Sequence, residues 1–249
     1  MHHSKAQLIV GGGIGLLAFL GVALSLLRPS SVPLQERVEA FYPKFSETAQ
    51  QRHADVDKKI ATLEGFRQDQ EFRRLPEPHR EQVDNLLKEL RAFQSYEQRV
   101  AAVPDPAGLR REDQFQAMRD QLAALDLPAV YSTEWSQTDA GKRHVELLDD
   151  FQSLETAVAE TRRRYLQFVD EGKDVLRNDE APQLPQRARH VLERAQKLPE
   201  PERDAGKPVP GSPRIKYAQV FEFPGVKDAL RAWAKVRDQL RPLTLSPKP

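Results

Sequence analysis

Residues 8–27, LIVGGGIGLLAFLGVALSLL, are twenty consecutive residues without a charge, bounded by Lys5 and Arg28. A helix of that length, at roughly 1.5 Å per residue, spans about 30 Å, the thickness of a bilayer's hydrocarbon core. Twelve of the twenty are Leu, Ile, Val or Phe. Each favours insertion by roughly 0.3–0.6 kcal/mol, which outweighs the glycines between them. A buried core helix is disfavoured, because the rest of the chain is too polar to wrap a cylinder that is apolar on every side. The expectation is therefore a short tail at 1–7, a single transmembrane anchor at 8–27 and a juxtamembrane linker at 28–43.

Two other readings compete for the same run. Ala23, Leu24 and Ser25 offer small residues at the spacing of a signal-peptidase site. The apolar run is longer than a usual signal core, however, and two leucines follow the cut, so the anchor is preferred. Gly11, Gly12, Gly13 and Gly15 resemble the glycine turn of a dinucleotide-binding fold. That fold then requires a second apolar strand ending in an acidic residue about twenty positions on. Arg28-Pro29-Ser30-Ser31 follows instead. Gly11 and Gly15 also stand in GxxxG spacing, which lets two membrane helices approach closely and makes this face a candidate dimer contact.

Beyond the anchor the composition is polar. Charged residues make up 30% of the chain, the hydrophobic class 39%, and much of the latter lies in the anchor. So thin an apolar supply suits helices that each bury one stripe, and the fold class expected is all-α, an elongated antiparallel helical bundle or coiled-coil-like domain. The formal net charge of +1 gives no electrostatic reason for nucleic-acid binding. The absence of Cys removes disulfides, thiolate catalysis and Cys-based zinc sites.

Nineteen prolines mark the boundaries of the periodic segments. A helical domain is expected over 44–198. Its first segment, 44–74, carries Ala49, His53, Val56, Ile60 and Leu63 at alternating four and three spacing, flanked by Phe45 and Phe66. A second, 79–103, carries Val83, Leu86, Leu90, Phe93 and Val100, and the short link between them predicts an antiparallel hairpin. A shorter helix at 110–127 presents Phe115, Met118, Leu122 and Leu125. Ser136 and Asp139 resemble a capping pair for the longest helix, whose seam runs Leu147, Phe151, Leu154, Val158, Thr161, Tyr165, Phe168, Gly172 and Val175. Thr161 and Gly172 are the weak points of that seam. A short helix follows at 185–198. Residues 199–213, PEPERDAGKPVPGSP, read as a flexible linker. Beyond it Ile215, Tyr217, Phe221 and Phe223 alternate in strand fashion, then Val226, Leu230, Trp233, Val236 and Leu240 mark an amphipathic helix. This tail, 214–249, is too short to hold its own core and must dock on the bundle, on a second copy or on another protein.

No residue set satisfies the spacing rules of a catalytic, cofactor or metal site. No two of His2, His3, His53, His79, His144 and His190 lie four apart. His190 and Glu193 stand in the reverse order to a di-iron motif. Gly141-Lys142 and Gly172-Lys173 lack the preceding glycine and following hydroxyl of a phosphate-binding loop. Asp149 and Asp150 are consecutive, so on a helix they diverge. Arg162, Arg163 and Arg164 fan out in the same way and read as a solvated, salt-bridged face.

The expectation is a non-enzymatic, membrane-anchored scaffold or interaction protein without cofactor or metal and with no nucleic-acid partner. Its protein partner would be contacted by Phe221, Phe223 and Trp233, with homo-oligomerisation through Gly11 and Gly15 as a further interaction. The alternative is an accessory subunit of a membrane enzyme or transport complex whose cofactors sit on other subunits. Lys5 ahead of the apolar run is the usual start of a signal-anchor, which puts the C-terminal domain outside the cytoplasm. Replacing Gly11 and Gly15 together with Ile is expected to abolish self-association in a membrane two-hybrid assay; an unchanged signal removes the dimer face.

Overall fold

The computed structural model describes residues 45–46, 55–125, 135–178 and 183–244. The expected anchor, with Gly11 and Gly15, lies outside these, as do Ala49 and His53. Among the described residues no helix is long and apolar enough to cross a membrane, and the regular structure is α-helix with one short 3-10 turn. The chain divides into two units, 1–95 and 96–249.

The first unit contains α1 (Val56–Gln68), α2 (Gln70–Arg73) and the start of α3 (Glu77–Ala102). One continuous helix over 44–74 is not what forms. Asp55, directly before α1, is left-handed at φ 51°, a conformation that Asp tolerates better than most residues. Asp69 is extended and separates α1 from α2. The antiparallel hairpin does form. Gln94 Nε2 donates to Asp57 at 2.6 Å, Arg91 pairs with Glu64 at 2.5 Å and Arg67 with Asp84 at 3.0 Å, so rising numbers on one helix meet falling numbers on the other. Leu63 of α1 and Val83, Leu90 and Phe93 of α3 are fully buried.

The second unit is organised along α5 (Asp139–Arg177), 39 residues long. Before it come the 3-10 turn Pro106–Gly108 and α4 (Gln114–Ala123); after it come α6 (Leu184–Ala195), α7 (Pro201–Asp204), α8 (Tyr217–Glu222) and α9 (Pro224–Leu243). The expected Ser136–Asp139 cap is replaced by Thr138, whose hydroxyl accepts from the Gly141 amide at 3.1 Å. The Thr138 hydroxyl also donates to the Trp135 carbonyl at 2.6 Å, holding the turn that feeds the helix.

The C-terminal half of α5 packs with α6 and α9 in an up-down-up arrangement. Glu171 meets Arg194 and Tyr165 meets Pro199, so α6 runs antiparallel to α5. Arg162 lies against Gly225, Phe168 against Trp233 and Gly172 against Val236, so α9 runs parallel to α5. Tyr165, Phe168, Val175, Ala188, Val191, Ala229, Trp233, Val236 and Leu240 form one core cluster. The N-terminal half of α5 is covered differently, with Phe115 of α4 set edge-on to Phe151 at 5.8 Å and lying 5.3 Å from Phe223.

Gly172 is not a weak point of the seam. A Cβ there would sit 2.3 Å from Val236 Cγ1 and 3.2 Å from Leu240 Cδ1, so the missing side chain lets α9 approach. Thr161 is likewise buried. Gly172→Ala is expected to lower stability: overpacking costs about 1–3 kcal/mol, against a gain of about 1 kcal/mol in helix propensity. Thermal melts should show the loss, and adding Val236→Ala should recover part of it. Equal melting of Gly172→Ala and the unaltered protein contradicts the close approach.

Candidate functional site

Residues 199–213 are an ordered strap rather than a flexible linker. Its first anchor is Asp204, which is buried. The carboxylate accepts from the Glu200 amide at 2.9 Å and Arg203 Nε at 2.9 Å, and pairs with Lys207 Nζ at 2.6 Å. The Lys207 and Arg203 bonds, followed by the backbone bond, hold this carboxyl well below the usual carboxylate range. Arg203 also donates to the carbonyls of Gln196 and Leu198, fastening the end of α6. Tyr165 of α5 donates to the Pro199 carbonyl at 2.5 Å, and burial pushes its phenol well above the usual range.

The second anchor is Asp150, buried on the packed side of α5. It accepts from Ser212 Oγ at 2.5 Å and from the Arg214 guanidinium at 2.9 Å. Ser212 Oγ in turn accepts from the amides of Arg214 and Ile215. Arg214 reaches on to Asp105 at 2.6 Å, and Asp105 caps the 3-10 turn by accepting from the Ala107 amide at 2.9 Å. Arg143 lies 3.5 Å from the same Asp105 carboxylate. Although burial opposes it, the Ala107 bond together with Arg214 and Arg143 brings the Asp105 carboxyl below its ordinary value. Val209 donates to the Ile215 carbonyl and Tyr217 to that of Lys207, which closes the strap into a tight loop.

Together the strap and α5 enclose a half-open notch of about 50 Å³. Its floor is α5: Ser153, Thr156, Ala157, Glu160, Thr161 and Arg164. Its wall is Pro199, Pro210 and Tyr217. Gly211, next to Pro210, stands at φ 89°, and a Cβ there would fall 2.5 Å from Ser153 Oγ. Here glycine is required twice, by the left-handed backbone and by the close approach. Glu160 and Arg164 are hydrogen-bonded to each other. Burial, then Glu160, raises the Tyr217 phenol above its ordinary value.

The aromatic residues expected to meet a partner are placed otherwise. Phe221 is 6% exposed, Phe223 0% and Trp233 4%. Tyr217, Phe221 and Phe223 are not strand residues either, since 217–222 is the helix α8 and Phe223 caps α9. A lone strand needs a paired edge, whereas α8 supplies its own backbone partners; Tyr217 and Phe221 stack on each other at 5.9 Å, and Phe223 lies against Phe115 of α4. His144 is half-buried, its Nδ1 3.0 Å from the Tyr96 hydroxyl, and burial lowers its pKa. Among the described residues no three His, Asp or Glu gather in a metal-holding group.

One signal for Asp150 was present in the sequence: it lies three residues after Leu147 and four before Leu154, on the apolar seam. Its partners, 62 and 64 residues away, carry no such signal. Comparison with known proteins finds no matching family model, no matching curated protein and no matching solved structure.

Because the Asp204 carboxyl is held below its unfolded value near 3.9, its contribution to stability is complete above about pH 4 and is lost as the pH falls through the folded value. Asp204→Asn is therefore expected to lower the melting temperature at pH 7 and to flatten its fall between pH 5 and pH 2. Circular dichroism melts across that range check this; an unchanged acid limb contradicts the role assigned to Asp204.

Proposed function

We propose that this chain is a membrane-anchored, non-enzymatic helical scaffold that presents its folded domain to a protein partner, with that domain on the extracytoplasmic side. The observation that carries the reading is the uncharged run at 8–27, long enough to span a bilayer, placed ahead of a chain whose folded part is helical. Support also comes from how the charges around the strap are used. Asp150, Asp204, Asp105 and Arg214 are spent on joining the strap to the helices. Such a network gives a rigid surface rather than a titrating centre.

Burial of Phe221, Phe223 and Trp233 moves the proposed contact away from the C-terminal aromatics and towards the outer faces of the helices. The long helix α5 supplies the coiled-coil-like element of the proposal.

The anchor and its orientation are tested together by fusing the C-terminus to alkaline phosphatase in one bacterial strain and to green fluorescent protein in another. Phosphatase activity without fluorescence, from protein that stays in the membrane fraction after carbonate extraction, is the expected result. Fluorescence without phosphatase activity reverses the orientation, and release by carbonate overturns the anchor. Purification of the full chain in mild detergent then separates the scaffold from an accessory subunit, because the latter brings stoichiometric, catalytically active partners.

A further inference from the structure

We draw no further inference here: the strongest candidate, the exposed stripe of Val145, Gln152, Ala159 and Leu166 along α5, is a helix face that Asp149 and Arg163 interrupt with charge, and nothing in the structure shows what covers it.

Discussion

A single buried carboxylate, Asp150, determines how the second unit closes. It accepts from Ser212 and Arg214, and Arg214 bridges onward to Asp105 at the 3-10 turn. The strap is thereby held against the N-terminal half of α5, which brings the chain back to the level at which α9 must begin. Glu112 completes that start by accepting from the Gly225 amide at 3.1 Å, a negative charge placed at the positive end of a twenty-residue helix. Only from there can α9 run parallel to α5 and offer Trp233, Val236 and Leu240 to the shared core.

Two kinds of charge must be distinguished in a chain so rich in Arg. The exposed pairs, such as Arg231 with Asp228 or Arg177 with Asp174, lie in water and contribute little. The buried carboxylates Asp150 and Asp204 act differently, since Asp150 accepts from Ser212 and Arg214 across the chain and Asp204 gathers Glu200, Arg203 and Lys207 within the strap. Arg203 shows the same economy, serving Asp204 and two carbonyls at the end of α6 with one guanidinium. The strap owes its order to these groups rather than to a large apolar area of its own, although Val209 and Ile215 add buried surface beneath it.

The helices were legible because apolar residues recur at three and four spacing wherever a face is buried. Val83, Leu90 and Phe93, or Leu147, Phe151 and Leu154, are buried as their period requires. Residues 199–213 read as a linker in the sequence because proline-rich composition reports the absence of helix, not the absence of order. Gly172 looks weak in the sequence for a related reason: a missing side chain resembles lost packing along one helix and becomes close packing only when a second helix arrives. The alternation of Ile215, Tyr217, Phe221 and Phe223 resembles a strand because Ile215 precedes the six-residue helix α8 that carries Tyr217 and Phe221, and Phe223 lies between it and α9, so the even spacing crosses a helix boundary twice.

Residue spacing along the chain is enough to fix the helical class, the position of the long helix, the hairpin that precedes it and the amphipathic character of the tail. All of these follow from interactions between residues a few positions apart. Tertiary structure alone decided that the tail docks on its own chain, burying Phe221, Phe223 and Trp233, and that Ser212 and Arg214 meet Asp150. It also gathered Ser153, Thr161 and Tyr217 around one notch. Those outcomes depend on groups separated by more than fifty residues, and local periodicity carries no record of which distant donor will satisfy a buried acceptor.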